Sequence, residues 1–167
     1  MITTARLVLR RAVWGDLAAV PGIMSDPRAM RYWSRPEHET VEETREWLRY
    51  MVEPPEDSVD FLIERDGVVI GKAGAWRLPE VGFLLHPDHW GQGLATEAMR
   101  AVVRYLEGEF ADLPELTAEV DPRNLASLRV LEKLGFRETH RAERTLQWRD
   151  EWCDSIYLAL PRASATA

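Results

Sequence analysis

Alternating apolar and polar residues recur in several short segments of this chain, as expected for half-buried strands. The predicted strands cover residues 3–11, 61–63, 68–76, 80–85, 116–120, 140–148 and 152–160. Asp66 and Gly67 lie between two β-branched runs, and an Asp-Gly pair in that setting favours a tight hairpin. The pattern therefore predicts seven strands, most of them antiparallel to a neighbour.

Apolar residues at helical spacing lie between these strands. The predicted helical segments cover residues 16–24, 27–33, 40–50, 94–107 and 124–134. Pro21 disturbs the first of them, while Thr40 and Glu43 form a capping box at the start of the third. Gly135 follows the last segment, where glycine commonly ends a helix.

The order of these elements predicts a mixed α/β fold (α+β), with a central, mostly antiparallel seven-stranded sheet flanked by about four helices. Residues 80–120 alone read as a strand–helix–strand unit, which implies one right-handed parallel crossover. A length of 167 residues with 46% hydrophobic and 29% charged residues fits one globular domain. We assign that domain to residues 1–162 and expect residues 163–167 to form a disordered tail.

Composition also narrows the partners and the cellular location. The net charge of −7 argues against nucleic acid and is compatible with a cationic substrate such as an amine. No apolar run approaches the roughly 18 residues of a membrane span, and the first residues carry three arginines and lack a secretory apolar core. Cys153 is the single cysteine, which excludes an internal disulfide. We expect a cytoplasmic monomer or homodimer with no membrane partner.

The most informative segment is residues 86–98, His-Pro-Asp-His-Trp-Gly-Gln-Gly-Leu-Ala-Thr-Glu-Ala. Gly91 and Gly93 permit a tight turn with close approach to the backbone, and the following helix directs unpaired N–H groups and its positive dipole end at that turn. Such a turn favours a phosphate or pyrophosphate. His86, Asp88 and His89 lie in the same segment, but three such residues in one turn rarely converge, so we expect no metal.

Four segments carry a family resemblance. Residues 90–95, Trp-Gly-Gln-Gly-Leu-Ala, resemble the acetyl-coenzyme A (CoA) loop of the GNAT superfamily of N-acetyltransferases, and the following Thr-Glu-Ala resembles its RimJ/RimL branch. Residues 124–136, from Asn124 to Phe136, resemble a second GNAT motif. Residues 4–10 and 152–157 resemble the opening and closing strands of that branch. On these matches the chain is identified as a RimJ/RimL-like GNAT protein.

The resemblance implies acetyl-CoA as co-substrate and no metal. In the family, the strand before the loop and the strand after the next helix splay apart as a parallel pair, and the pantetheine arm fills the gap. The implied cofactor-binding residues are Phe83, Leu84, Leu85, Trp90, Gly91, Gln92, Gly93, Leu94, Ala95, Thr96, Asn124 and Ser127. Asn124 also suits a helix N-cap, and Thr96 and Glu97 also suit a first helical turn that complements the dipole.

Acetyl transfer to an amine needs a base for the ammonium proton and benefits from an acid for the departing thiolate. We assign the base to Glu80, a residue for which an exposed turn position is an equally open interpretation. Many GNAT proteins carry a tyrosine as the acid where this chain has Leu131, which leaves Ser127 as the remaining hydroxyl. No Ser-His-Asp or Cys-His arrangement is evident, so direct attack is favoured over a covalent intermediate on Cys153.

The acceptor pocket is the least readable part of the sequence, and we assign Tyr32, Trp33, Trp76 and Asp154 to it. Protein N-termini, polyamines, aminoglycosides and other small amines all have GNAT enzymes of this size. A non-catalytic acyl-CoA sensor would bind acetyl-CoA without releasing thiol to any amine. A nucleotide-phosphate-binding protein would let ATP or GTP compete with CoA.

Overall fold

A computed structural model describes residues 1–162, which form eight strands in one sheet. The strands are β1 (Ile2–Thr3), β2 (Val8–Arg10), β3 (Val59–Arg65), β4 (Val68–Arg77), β5 (Glu80–Leu85), β6 (Glu115–Val120), β7 (Arg137–Trp148) and β8 (Glu151–Pro161). They lie in the order β1-β2-β3-β4-β5-β6-β8-β7. The predicted mixed fold with a mostly antiparallel sheet is confirmed. The predicted tail lies outside the described residues.

The strand count differs from the prediction because the first strand is divided. A turn separates β1 from β2, in which the Thr4 amide donates to the Leu7 carbonyl at 2.9 Å and the Leu7 amide donates to Thr4 Oγ1 at 3.0 Å. These bonds take the place of ladder bonds. The two short strands then pair antiparallel with each other, which gives eight strands rather than seven.

Five α-helices occur in residues 1–162: α1 (Pro21–Met24), α2 (Pro27–Met30), α3 (Val41–Val52), α4 (Leu94–Glu109) and α5 (Leu125–Lys133). The helix predicted over residues 16–24 is divided into a 3₁₀ turn, Trp14–Ala18, and α1. Pro21 is the reason, because it has no N–H to continue a helix but suits the first position of a new one. The capping box of Thr40 and Glu43 at the start of α3 is present.

The two faces of the sheet carry separate apolar clusters. On one face α4 packs through its buried side chains Leu94, Ala98, Met99, Val102 and Leu106. On the other face the segments α1 to α3 bury Ile23, Met24, Met30, Leu48 and Met51 against the sheet. Among the helices of residues 1–162, none is both long and apolar enough to cross a membrane.

The parallel pair that positions the site is β5 and β6. Within residues 1–162 their register joins a single pair of residues, Glu80 and Thr117, and the Thr117 amide donates to the Pro79 carbonyl at 3.0 Å. On its other edge β6 pairs with β8 along its whole length, from Glu115 to Val120. Beyond the Glu80–Thr117 contact, β5 and β6 therefore diverge and open a gap in the sheet.

A buried ion pair lies on the α1–α3 face beside this gap. Lys72 Nζ is 2.8 Å from Asp60 Oδ2, the two side chains are 4% and 7% exposed, and the Trp33 ring lies 5.2 Å from Lys72 Nζ. Removing one partner of a buried pair leaves an uncompensated charge, which costs far more than the pair itself contributes.

We therefore expect Lys72→Met to lower the free energy of unfolding by about 3–5 kcal/mol, measured by urea denaturation. The double variant Lys72→Met/Asp60→Leu should recover most of that loss, because no charge is then left unpaired. Arg49→Met breaks the exposed Arg49–Glu46 pair and serves as the control, with a much smaller loss. A single variant as stable as the control would contradict the argument.

Candidate active site

The loop between β5 and α4 has the backbone of an anion site. Gly91 and Gly93 have φ angles of +72° and +75°, and Gly93 is the N-cap of α4. A Cβ built on Gly91 would meet nothing within 4 Å, so the left-handed backbone, and not crowding, requires glycine here. Within the described chain no side chain caps α4, and its first N–H groups are therefore open to a ligand.

Trp90 fixes this loop to the end of β5. Its indole Nε1 donates to the Leu85 carbonyl at 2.9 Å, while half of its side chain is exposed. A carbonyl oxygen has two lone pairs, so Leu85 keeps one for a ligand. Trp90 thus has a structural role that the sequence alone did not reveal.

The β5 residues predicted to meet the cofactor lie along the gap. Phe83 and Leu85 pair with Ala73 and Gly71 of β4 on one edge, and the opposite edge faces the diverging β6. The Leu84 side chain is buried against the α1–α3 face. The side chains of Phe83 and Leu85 pack in the cluster on the α4 face. Because main-chain groups alternate between the two edges of a strand, those of Phe83 and Leu85 are placed to line the gap, and those of Leu84 point to Lys72 of β4.

Asn124 and Ser127 come together at the start of α5. Asn124 Oδ1 accepts a hydrogen bond from the Ser127 amide at 3.2 Å, so Asn124 is the N-cap of that helix. Its amide nitrogen is not used by that bond, and a ligand role at that end is compatible with the cap. Leu131, one turn further along, is 1% exposed in the core and offers no proton donor to the site.

A polar cleft opens where β5 meets β6, on the sheet face opposite α4. Its volume is about 230 Å³, and its polar lining residues are Glu80, Glu115, Thr117, Glu119, Thr139, His140 and Tyr157. Strand alternation explains its polarity, because Leu116, Ala118 and Val120 of β6 point to the apolar core instead. Three carboxylates in one cleft give it a negative potential, which favours a cation.

Glu80 and Trp76 lie together at the closed end of the gap. Trp76 Nε1 donates to Glu80 Oε1 at 2.9 Å, which orients the carboxylate. Trp76 itself is half exposed and is not part of the cleft lining. Glu80 is thus a half-buried residue of the cleft, and its carboxylate is held by the Trp76 indole. A fully exposed turn residue would lack this contact.

Sequence reasoning did not find Glu119, Tyr157 and Ser155. Glu119 Oε1 accepts hydrogen bonds from Ser155 Oγ at 2.5 Å and from Tyr157 Oη at 3.3 Å, and the His140 ring stacks on Tyr157 with centroids 4.3 Å apart. Burial raises the pKa of Tyr157, and the nearby charges of Glu119 and Glu80 raise it further. The phenol therefore remains a neutral hydrogen-bond donor at physiological pH.

Of the four residues assigned to the acceptor pocket, Asp154 lies on the sheet face opposite the cleft. Its Oδ1 accepts a hydrogen bond from the Arg144 amide at 2.9 Å, at an irregular part of β7. Asp154 is three positions before Tyr157 on β8. Successive side chains of a strand point to opposite faces, so these two residues lie on opposite faces of the sheet. A sequence interpretation without the register of β8 cannot assign that face.

The two remaining residues lie near the cleft without lining it. Trp33 lies over β5, with its ring 3.9 Å from the position of a Cβ on Gly82. Tyr32 stacks with the guanidinium groups of Arg31 and Arg123, at 5.2 and 5.9 Å. Both residues lie on the α1–α3 face of the sheet, the same face on which the cleft opens.

The turn that contains His86 and His89 is stabilised by a hydrogen bond from within the turn. His86 Nδ1 accepts a hydrogen bond from the Asp88 amide at 3.2 Å within the 3₁₀ turn Pro87–His89. In the part of the chain that the structure describes, no three His, Cys, Asp or Glu side chains converge as metal ligands. Cys153 is buried, with its Sγ 3.2 Å from Arg123 Nη2.

Comparisons with known proteins agree with this geometry. Residues 6–137 match the family model described as an acetyltransferase (GNAT) domain. The chain is 27% identical to the uncharacterized N-acetyltransferase YnaD of Bacillus subtilis over 164 residues, which is 95% of each chain. These similarities extend along almost the whole sequence.

Two solved structures have the same fold. One is spermidine N-acetyltransferase from Vibrio cholerae in complex with CoA and spermine, with a TM-score of 0.79, 20% identity and coverage of 95% of this chain and 96% of that one. The other is RimL, a ribosomal L7/L12 α-N-protein acetyltransferase in complex with CoA, with a TM-score of 0.82, 16% identity and 95% coverage of both.

The glycine loop supports a direct test. We expect Gly93→Val to weaken CoA binding by at least tenfold in calorimetry, because a β-branched side chain disfavours the left-handed backbone that presents the N–H groups. Gly67→Val is the matched control, because Gly67 has φ +79° and a Cβ added there would meet nothing within 4 Å. Both variants should lose similar stability, and equal CoA binding by both would contradict the assignment of the loop.

Proposed function

This chain belongs to the GNAT family and is an N-acetyltransferase that uses acetyl-CoA, and from that premise we propose that it acetylates a primary amine by direct attack in the polar cleft. The acceptor is a peptide N-terminus or a small amine. The observation that carries the proposal is the single parallel contact between β5 and β6, because it leaves a gap that ends at the carboxylates.

The cofactor would bind with its phosphates at the N-terminus of α4 and its arm in the gap between β5 and β6. Its pyrophosphate would lie on the N–H groups of residues 91–95, where the helix dipole favours negative charge. The pantetheine amides would bond to main-chain groups of Phe83 and Leu85, which lack β6 as a ladder partner, and unpaired buried backbone groups are costly. Asn124 and Ser127 would lie on the far side of the arm. The thioester would then reach the Glu80 end of the gap.

The charge of the cleft favours a cationic acceptor. Glu80, Glu115 and Glu119 line it together, and the chain carries a net charge of −7. Carboxylates that converge in a cleft raise the local concentration of an ammonium group. The two structurally similar enzymes are named for spermidine and for a protein N-terminus, and both acceptors carry such a group.

Glu80 is proposed as the general base. It takes a proton from the acceptor ammonium, directly or through a water molecule, and the free amine nitrogen attacks the thioester carbonyl carbon. The carbonyl oxygen gains negative charge until the C–S bond breaks. The departing thiolate takes up the second proton that the attacking nitrogen loses as it becomes an amide, relayed through solvent, and the Ser127 hydroxyl is the proposed hydrogen-bond donor to the thiolate. No covalent intermediate on the protein is required.

The proposal as a whole is tested by the release of thiol from acetyl-CoA with a panel of amines. We expect release with at least one di- or polyamine or peptide N-terminus, and formation of the corresponding amide by mass spectrometry. Binding of acetyl-CoA without thiol release to any amine would instead indicate an acyl-CoA sensor. Competition by ATP or GTP would indicate a nucleotide-phosphate site.

For the base, we expect Glu80→Gln to lower kcat/KM by about 10²–10⁴-fold and to flatten the acidic limb of its pH profile. Glu115→Gln removes the same charge from the same cleft and is the matched control, with a much smaller effect. Two acceptors of different amine pKa should be compared. A limb that follows the acceptor and is unaffected by Glu80→Gln would show that the enzyme captures the neutral amine.

For the thiolate, we expect Ser127→Ala to lower kcat several-fold while the affinity for acetyl-CoA changes little. Leu131 occupies the position from which a tyrosine would otherwise act, so no other residue of the α5 motif replaces the lost hydroxyl. Ser127→Thr keeps a hydroxyl and should retain most of the rate. An unchanged kcat for Ser127→Ala would leave solvent as the proton source.

A further inference from the structure

Gln92, between the two loop glycines, is held at three atoms. Its carbonyl oxygen accepts a hydrogen bond from Arg6 Nη1 at 2.9 Å, and its side-chain Oε1 accepts one from Arg65 Nη1 at 2.7 Å. Its Nε2 donates to the Asp88 carbonyl at 3.2 Å. A residue flanked by two left-handed glycines has unusual backbone freedom, and these bonds remove it.

The two arginines come from distant parts of the sequence. Arg6 lies in the turn between β1 and β2, and Arg65 lies at the end of β3, beside the hairpin turn. Glu97, in the first turn of α4, fixes Arg6 through a 2.7 Å bond from Nε and a 2.9 Å bond from its main-chain amide. The turn that divides the first strand is thereby attached to the helix that follows the loop.

Thr4 completes this attachment. Its Oγ1 donates to Glu97 Oε1 at 2.6 Å. Burial alone would raise the pKa of Glu97, but the hydrogen bonds from Thr4 and Arg6 outweigh it and leave that pKa lowered. Glu97 therefore remains an anion that faces the chain's first residues, and not the cofactor.

The bond from Arg6 determines where the Gly93 amide points. In a trans peptide unit the C=O of Gln92 and the N–H of Gly93 point in opposite directions. Because Arg6 holds the carbonyl on one side of the loop, the Gly93 N–H is directed to the other side. That direction is fixed before any ligand binds, which reduces the ordering cost of binding.

We propose that Arg6 and Arg65 are positioning residues for the cofactor pyrophosphate, and that they act through Gln92 without contacting the phosphates. This inference rests on the cofactor placement proposed above. Its consequence is that the β1–β2 turn and the end of β3 belong to the cofactor site, although neither lies in the glycine motif.

A double-mutant cycle on Arg65 and Gln92 separates positioning from direct contact. We expect Arg65→Ala and Gln92→Ala each to lower CoA affinity about tenfold in calorimetry, and the double variant to lose no more than either single one, because both remove the same bond. A direct phosphate contact by Arg65 would make the two losses multiply. Arg45→Ala, at an exposed position on α3, removes the same charge and should bind CoA like the parent.

A second ligand tests whether the effect belongs to the pyrophosphate. Acetyl-pantetheine lacks the phosphates, so its turnover with an amine found in the panel should be the same in Arg6→Ala, Arg65→Ala and the parent. The KM for acetyl-CoA should rise in both variants while kcat is unchanged. A general loosening of the fold would instead impair both ligands.

Three results would overturn the inference: multiplicative losses in the cycle, parent-like CoA affinity in all variants, or equal loss with both ligands. Thermal unfolding of each variant is measured alongside, and Gln92→Ala, at an exposed position, keeps the test available if an arginine variant does not fold. Absence of CoA binding by the parent would refute the cofactor placement itself, which is a distinguishable failure.

Discussion

The arrangement of this site depends on one backbone constraint, the divergence of β5 from β6 after a single parallel contact. Within residues 1–162, β5 and β6 share a single register pair, Glu80 and Thr117, while the other edge of β6 is fully paired with β8 from Glu115 to Val120. The main-chain groups of β5 beyond Glu80 therefore have no strand partner on that edge. Backbone groups in such a position require hydrogen bonds from another source, and a ligand with amide groups can supply them. In the proposed placement, the cofactor would complete the sheet and would not fill a separate pocket.

The same divergence separates two chemistries across the sheet. One face of β6 is apolar and packs with α4 through Leu116, Ala118 and Val120. The alternate residues, Thr117 and Glu119, point to the other face and meet Glu80 of β5. In the proposed placement, a ligand arm in the gap would be anchored at the N-terminus of α4 and would end among the carboxylates. The phosphates would then be bound at one end of the gap, and proton transfer would occur at the other.

Features that depend on neighbouring residues could be predicted from the sequence. The capping box of Thr40 and Glu43 and the positive φ angles of Gly91 and Gly93 involve contacts within a few residues, and the motifs report them directly. Features that depend on strand register could not. Glu119 and Ser155 are 36 positions apart and meet only because β6 pairs with β8. The position of Asp154, on the sheet face opposite the cleft, also depends on register, since one position along β8 reverses the face.

This difference explains why the cofactor can be predicted from the sequence and the acceptor cannot. The proposed phosphate site uses main-chain N–H groups, whose direction follows from a short glycine pattern, so a local motif carries most of its information. Even there, the residues that bond to Gln92, Arg6 and Arg65, lie outside the motif. The cleft proposed for the acceptor is lined by residues of β5, β6, β7 and β8, and no short segment contains them. Proteins of this fold can therefore differ in acceptor, as two enzymes named for a polyamine and for a protein N-terminus already do.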